Sequence, residues 1–365
     1  MSGRRGDRQG VEQAGAQTGG VHTYEEIMTQ AGLWEAVIAR TNREWPVIRP
    51  LVERAERVVF VGCGSNYYMS LGAAFHFTAL TGRPAWGVPA SELQSYPEAV
   101  PGGLEGALVV TLCRSGETTE VVQAVEAMRR RGVQTLYLGC APDSTVARLC
   151  SASLDFAEAR DRSVVTTRSH TAMLLAAQLL AGLAAGERGQ TYLRELGRLP
   201  SLGKGLLERL EAAVRRVPVE RFGQFVFLGS GPFYGIACEG MLKMKEMAIV
   251  PSDGLHCLEF RHGPKAILEP GVLVTVFLSD TARGQELGLI REIKALGGAV
   301  MTVCQQAGDA VAEHSQYVVE TAGPLPEAAR SVLYLPAAQL LAFAKAASKG
   351  IDVDAPRHLS YHVSL

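Results

Sequence analysis

The sequence lacks any excess of basic residues and any closely spaced pair of cysteines. Lys and Arg together number 36 against 37 Asp and Glu, which leaves a formal net charge of −1 and no electrostatic footprint for nucleic acid. The seven cysteines stand singly, with no Cys-x-x-Cys pair, which argues against a disulfide framework or a structural zinc site. We therefore expect a protein of a reducing compartment, the cytoplasm, that binds no nucleic acid.

The sequence also has no long apolar run and no signal peptide. Its most apolar stretch, residues 173–185, is too short to span a bilayer and contains Gln178. Residues 1–22 are rich in Gly, Gln and Arg and have no apolar segment behind their basic residues. We therefore expect residues 1–22 to be a flexible leader and the protein to have no membrane partner.

Short apolar runs alternate with helix-like segments along the rest of the chain. Thr23 and Glu26 have the spacing of a helix capping box, and a helical region is predicted from there to about residue 57. The alternation of strands and helices predicts an α/β fold with a parallel sheet covered on both faces. Predicted strands lie at residues 57–61, 107–112, 134–138, 272–278 and 299–303.

The second half of the chain repeats the pattern of the first. Residues 59–64 read Val-Phe-Val-Gly-Cys-Gly, and residues 226–231, which begin 167 positions later, read Val-Phe-Leu-Gly-Ser-Gly. A duplicated α/β unit explains this, although strands of α/β proteins that end in glycine resemble one another in general. We predict domains at residues 23–200 and 201–350, with a C-terminal tail at residues 351–365.

Hydroxyl-bearing residues and glycines follow two predicted strands of the first half. The glycine loop (residues 62–66) and the hydroxyl loop (residues 113–119) each lead into a predicted helix, where backbone N–H groups favour an anion such as a phosphate monoester. Helix capping is the commoner explanation of such turns, and it applies equally to a third polar cluster at residues 161–171. Neither a Walker loop nor a Gly-x-Gly-x-x-Gly motif is present, so a nucleotide is disfavoured.

Three charged residues of the second half share one face of a predicted helix. Glu239, Lys243 and Glu246 are spaced i, i+4 and i+7 in a segment that is otherwise rich in methionine; we call them the charged row. A solvent-exposed face is the usual explanation, and a cleft-facing carboxylate that moves protons is the alternative. His262 lies before Gly-Pro on a predicted turn and could act with Glu246 across a cleft.

Together these motifs resemble tandem sugar isomerase (SIS) domain proteins, and in particular the isomerase module of glucosamine-6-phosphate synthase. The resemblance covers residues 23–365, and its anchors are Ser-Gly-Glu-Thr at 115–118, the charged row, Arg-His-Gly-Pro at 261–264 and Asp-Ala-Pro-Arg-His-Leu at 354–359. It implies two tandem SIS domains, each a parallel sheet flanked by helices in a flavodoxin-like αβα sandwich. It also implies a homodimer whose active sites are shared between subunits.

The resemblance further implies roles for individual residues. Glu246 would move a proton between C1 and C2 of an open-chain sugar, His262 of the neighbouring subunit would open the ring, and Glu239 and Lys243 would be their charged companions. Arg114 departs from the family and would either add a bond to the phosphate or alter the pocket. The residues expected to bind the sugar 6-phosphate are Ser65, Asn66, Cys113, Arg114, Ser115, Thr118 and Thr166.

Two departures from the synthase shape the expected reaction. No glutaminase domain precedes residue 23, so we expect that glutamine is not the nitrogen donor. Tyr361 stands where the synthase has a lysine that forms an imine with the ketose, so covalent capture of the ketose by this residue is ruled out. Tyr361 could instead donate a hydrogen bond to a sugar oxygen, and His358 or His362 could be further acid–base groups. We therefore predict an amino-sugar 6-phosphate isomerase and deaminase that uses no metal or cofactor. The alternatives are a glycated-amine 6-phosphate deglycase and a non-catalytic sugar-phosphate-binding regulator.

Overall fold

The computed structural model describes residues 19–321 and 323–364. Its strands form two separate sheets of five strands each, and every neighbouring pair in both sheets is parallel. The first sheet contains β1 (Arg57–Gly62), β2 (Ala85–Pro89), β3 (Ala107–Cys113), β4 (Gln134–Gly139) and β5 (Ala152–Asp155). The second contains β6 (Gln224–Gly229), β7 (Ser252–Leu255), β8 (Val272–Phe277), β9 (Ala299–Cys304) and β10 (Tyr317–Glu320).

The two sheets have the same topology. The first runs β2-β1-β3-β4-β5 and the second β7-β6-β8-β9-β10, the flavodoxin-like order in both cases. Their first strands, β1 and β6, are offset by the 167 residues that separate the repeated sequence motifs. The predicted α/β fold with two tandem parallel-sheet units is confirmed. Central strands such as β3, buried along its whole length, explain the continuous apolar runs in the sequence.

Helices cover both sheets. They are α1 (Val21–Thr29), α2 (Trp34–Arg54), α3 (Ser65–Thr81), α4 (Ala90–Ser95), α5 (Thr119–Arg130), α6 (Thr145–Leu149), α7 (Arg168–Ala184), α8 (Gln190–Leu196), α9 (Leu199–Gly203), α10 (Leu206–Val214), α11 (Tyr234–Ala248), α12 (Arg283–Ala295), α13 (Gly308–His314) and α14 (Ser331–Ser348). None of the helices within residues 19–321 and 323–364 is both long and apolar enough to cross a membrane.

The two halves meet where α3 of the first packs against α11 of the second. A side chain at Gly235 of α11 would place its Cβ 2.6 Å from the backbone oxygen of Tyr68 on α3, which is too close for any residue but glycine. This close approach brings the start of α3, which follows the glycine loop, against the charged row of α11. The helix crossing therefore positions the site described below.

The first helix begins differently from the prediction. Residues 1–18 of the predicted leader lie outside the described residues, and α1 begins at Val21, so that Thr23 lies inside the helix instead of capping it. The capping-box prediction is wrong because a residue from the other end of the chain does the capping. Asp354 accepts hydrogen bonds from the backbone N–H of His22 (2.9 Å) and from the N–H and hydroxyl of Thr23 (2.9 and 2.7 Å).

Candidate active site

A cavity of about 220 Å³ lies at the carboxyl ends of the first sheet's strands. This edge is where open parallel α/β sheets bind their ligands. A larger cavity of about 390 Å³ lies between residues 51–55, 104–107 and 131–134, and none of the predicted site residues lines it. The cavity at the carboxyl ends is lined by the glycine loop, the hydroxyl loop, the tail and three other residues: Cys63, Gly64, Ser65, Asn66, Arg114, Ser115, Thr118, Val164, Thr166, Glu246, His358, Leu359, Ser360, Tyr361, His362 and Val363.

The hydroxyl loop forms a tight turn between β3 and α5. Gly116 has φ +65°, and a Cβ there would lie 1.9 Å from Ser144 Oγ, so the turn requires glycine. The Ser115 hydroxyl accepts from the backbone N–H of Glu117 at 3.2 Å. Thr118 occupies the N-cap position of α5, yet its side chain makes no capping hydrogen bond to any described residue. Capping alone therefore does not account for the hydroxyl at Thr118.

The glycine loop brings a second set of polar groups to the same cavity. Ser65 and Asn66 form the first turn of α3, after Gly64 at φ +54°. The buried Asn66 side-chain oxygen has no hydrogen-bond partner among the residues that the structure describes. A buried polar atom without a partner is costly, and the Asn66 side chain that carries it lines the cavity.

The charged row faces inward and not toward solvent. The side chains of Glu239 and Lys243 are completely buried, and that of Glu246 is 21% exposed where it lines the cavity. Lys243 Nζ lies 3.2 Å from Glu239 Oε1 and 2.5 Å from Glu246 Oε2, and it donates to Ser65 Oγ at 3.1 Å. The solvent-exposed explanation of the row is therefore wrong, because the packing of α3 against α11 covers this face.

Opposite charges keep the buried part of the row ionised. Burial alone would raise the pKa of Glu239, but the charge of Lys243, together with the contact to His170, outweighs it and holds that pKa below its ordinary value. Burial likewise opposes the charge of Lys243, and the two glutamates more than offset it, so the pKa of this lysine is raised. The cavity is thus flanked by a fixed ammonium beside the carboxylate of Glu246.

Arg114 is engaged with its own chain. Its guanidinium lies 3.5 Å from Asp161 Oδ2 and donates to the backbone oxygens of Ser163 (3.3 Å) and Tyr361 (2.7 Å). It also stacks 4.0 Å from the centre of the Tyr361 ring. Because Arg114 also lines the cavity, both expectations for it, a direct bond to the phosphate and an altered pocket, stay predictions.

The C-terminal tail closes one side of the cavity. The Tyr361 hydroxyl donates to the backbone oxygen of Asp161 at 3.0 Å and accepts from Arg160 Nε at 3.1 Å. Because the hydroxyl hydrogen is used within the chain, the expected bond from Tyr361 to a sugar oxygen is not supported. His358 and His362 line the cavity beside it, where the sequence placed them.

Two further predicted residues occupy different surroundings. Thr166 lines the cavity, in the polar cluster where Asp161 caps α7 by accepting from the backbone N–H groups of Arg168 and Ser169. The capping explanation of that cluster therefore holds for Asp161, which the sequence analysis had not singled out. Cys113 is buried beneath the hydroxyl loop, with Sγ 3.7 Å from Thr118 Oγ1, and does not line the cavity.

His262 is exposed and lies outside the cavity of its own chain. It follows a short 3₁₀ turn at Leu258–Arg261 and precedes Gly263, which has φ +118°. Within one chain the structure does not bring His262 to Glu246. The role expected from the family resemblance requires a second copy of the chain and stays a prediction.

Comparison with known proteins agrees with this architecture. The family model described as SIS domain matches residues 51–183 and 222–346. A glutamine–fructose-6-phosphate aminotransferase (isomerizing) of Gloeobacter violaceus is 30% identical over 323 residues, which are 85% of this chain and 52% of that protein. The chain thus spans about half the length of the curated relatives it matches.

Solved structures show the same fold. A glucosamine-6-phosphate deaminase of Thermotoga maritima has 28% identity and a TM-score of 0.78, covering 94% of this chain and all of that one (100%). A tagatose-6-phosphate ketose/aldose isomerase of Escherichia coli has 22% identity and a TM-score of 0.78, covering 91% and 94%, which supports the fold alone. With both halves matched by the family model, the chain belongs to the SIS domain family and carries two such domains in tandem.

Proposed function

We propose that the protein is a phosphosugar isomerase of the SIS family that acts on an amino sugar, converting glucosamine 6-phosphate and water to fructose 6-phosphate and ammonia. The observation that carries the proposal is one cavity in which loops suited to a phosphate face Glu246, the partly exposed member of the charged row. The deaminase of Thermotoga maritima supports the same reaction, because this chain aligns with its whole length.

The phosphate is assigned to the hydroxyl loop. The loop presents Ser115 and Thr118 at the start of α5, where the helix N-terminus favours a dianion. Asn66 and Thr166 approach the same cavity from the glycine loop and from the segment before α7. Hydrogen bonds from these groups would fix the phosphate end of the sugar and so hold C1 and C2 at a set distance from it.

The proton transfer is assigned to Glu246. Once the ring is open, the Glu246 carboxylate takes the proton from C2 of the amino aldose and returns it to C1. The aldehyde oxygen gains a proton and the amine nitrogen loses one in the same conversion, so that the product is a ketimine with a hydroxyl on C1. Water then adds to C2 and ammonia leaves, giving the ketose. Lys243, 2.5 Å from Glu246 Oε2, holds the carboxylate in place for the first of these steps.

A homodimer completes the proposed site. His262, exposed on one chain, would enter the cavity of a second copy and protonate the ring oxygen. Mixing the inactive variants Glu246→Gln and His262→Asn tests this, because heterodimers with a shared site contain one intact cavity in two. We expect the mixture to recover ammonia release. A mixture that stays inactive would contradict an active site shared between subunits. The cytoplasmic location remains part of the same proposal.

The test of the function is ammonia release across a panel of hexosamine 6-phosphates and glycated-amine 6-phosphates. We expect ammonia from a hexosamine phosphate with the wild type and none with Glu246→Gln, which is nearly isosteric. The matched control is Glu208→Gln, at an exposed glutamate of α10 remote from the cavity, which should behave as wild type.

Two other outcomes would replace the proposal. Release of an amine from glycated substrates only would make the protein a deglycase. Tight sugar-phosphate binding without turnover of any member would make it a non-catalytic sugar-phosphate-binding regulator.

A further inference from the structure

A fourth ionisable side chain adjoins the charged row from the opposite domain. His170, in the first turn of α7, is completely buried, and its Nδ1 lies 3.4 Å from Glu239 Oε1. His170 belongs to the first SIS domain and Glu239 to the second, so this contact joins the two domains behind the cavity. None of the sugar-binding or proton-transfer roles described above involves His170.

The contacts of Glu239 and Lys243 show why this neighbour matters. The Lys243 ammonium has three N–H groups, and three oxygens lie within 3.2 Å of it, on Glu239, Glu246 and Ser65. Glu239 faces only two nitrogen groups among the described residues, Lys243 and His170. If His170 did not engage Glu239, this fully buried carboxylate would depend on Lys243 alone, and the ammonium would be drawn away from Glu246.

We propose that His170 is a positioning residue for the proton-transferring glutamate: it holds Glu239 through Nδ1–H, which leaves Lys243 placed against Glu246. This inference rests on the proposed function, because it assigns a remote group to that same site. His170 touches neither the cavity nor the substrate, and it acts through two intervening side chains.

Burial also fixes the form of the imidazole. Both ring nitrogens of His170 and both carboxylate oxygens of Glu239 lack a hydrogen bond of ordinary geometry among the described residues. A protonated Nε2 would be a buried donor without an acceptor, whereas a bare Nε2 lone pair costs less in an apolar environment. The tautomer with hydrogen on Nδ1 is therefore the form that fits the 3.4 Å contact with Glu239.

Two variants separate positioning from packing. His170→Leu removes the donor, and His170→Asn keeps an amide N–H close to the place of Nδ1. We expect kcat for the substrate identified in the panel to fall about 100-fold in His170→Leu with KM nearly unchanged, as a small displacement of a reacting group produces. His170→Asn should recover most of that loss. Equal loss in both variants, or a change in KM alone, would overturn the proposal.

A second measurement needs no turnover and so distinguishes this proposal from the proposed function. In protein labelled with ¹⁵N-histidine, the His170 signals are those missing from His170→Asn, and we expect a protonated Nδ1 and an unprotonated Nε2. An unprotonated Nδ1 would overturn the proposal even if the enzyme deaminates a hexosamine phosphate. A protonated Nδ1 in a protein that turns over nothing would refute the proposed function and leave the His170–Glu239 contact supported.

Discussion

Replacing Lys243 by methionine should destabilise the protein strongly, because it leaves a buried carboxylate without its cation. Lys243 and Glu239 are fully buried and 3.2 Å apart. At an effective dielectric constant of about 20, two unit charges at that distance attract by about 5 kcal/mol, and breaking a buried ion pair costs about 3–5 kcal/mol. We therefore expect Lys243→Met to lower the free energy of unfolding at neutral pH by about 4 kcal/mol.

The double variant Glu239→Gln/Lys243→Met should be more stable than Lys243→Met. Removing both charges eliminates the unpaired buried carboxylate, and about 2 kcal/mol or more of the loss should return. Lys245→Met is the matched control, since this lysine is exposed two positions further along α11. Its free energy of unfolding should stay within about 0.5 kcal/mol of wild type.

The pH dependence gives the sign of the effect. In wild type the pKa of Glu239 is held below its ordinary value, so its contribution to stability is present above the unfolded-state pKa and is lost as pH falls through the folded-state pKa. In Lys243→Met, burial acts without that cation, and we expect the pKa of Glu239 to rise above its unfolded value. The deficit of the variant should then shrink as pH falls from neutrality.

Urea unfolding followed by circular dichroism and by tryptophan fluorescence, at several pH values, measures these differences. Coincident transitions by the two probes are needed before a single free energy is assigned to the two-domain chain. A Lys243→Met variant as stable as wild type, or a double variant no more stable than the single one, would refute the assignment of Lys243 to a buried charge network.

Three further predictions concern groups around the site and in the core. Burial lowers the pKa of His76 to about 4, so between pH 6.5 and 4 the unfolded chain binds a proton that the folded chain does not. The free energy of unfolding of wild type should therefore fall by roughly 3 kcal/mol more than that of His76→Phe over this range. Parallel curves of stability against pH for the two proteins would contradict this. Tyr361→Phe should speed hydrogen exchange in the tail less than Tyr361→Ala, which also loses the stacking on Arg114. Equal exchange in the two variants would show that this stacking does not hold the tail in place. Burial raises the pKa of Cys63 to about 12, so this cavity cysteine should resist iodoacetamide at neutral pH, and rapid alkylation would contradict that.

The central strands of both sheets were predictable, and the edge strands were not. Strands such as β3 and β8 are buried along their length, so their sequences are continuous apolar runs bounded by turns. The edge strands β2, β5, β7 and β10 have only four or five residues and are partly exposed, which leaves no comparable pattern. Their pairing is set by neighbouring strands and not by their own composition.

The polar residues of the site were predictable as residue types, and their partners were not. Helical spacing places the charged row on one face, but only the crossing of α3 and α11 decides that this face is buried. Arg114 and Tyr361 are 247 positions apart, and no local pattern indicates that one stacks on the other. The start of α1 presents the same difficulty. The spacing of Thr23 and Glu26 favoured a local capping box, but the carboxylate of Asp354, far away in the sequence, accepts the hydrogen bonds of Thr23 instead.

The most direct test of the account is hydrogen exchange at C1 of fructose 6-phosphate in deuterated water that contains ammonium, which re-forms the ketimine, followed by proton NMR. The account predicts that the wild-type protein replaces a C1 hydrogen by deuterium. Glu246→Gln should bind the sugar phosphate with unchanged affinity and catalyse no exchange. Exchange that persists in Glu246→Gln, or a wild-type protein that binds the sugar phosphate without any exchange, would contradict it.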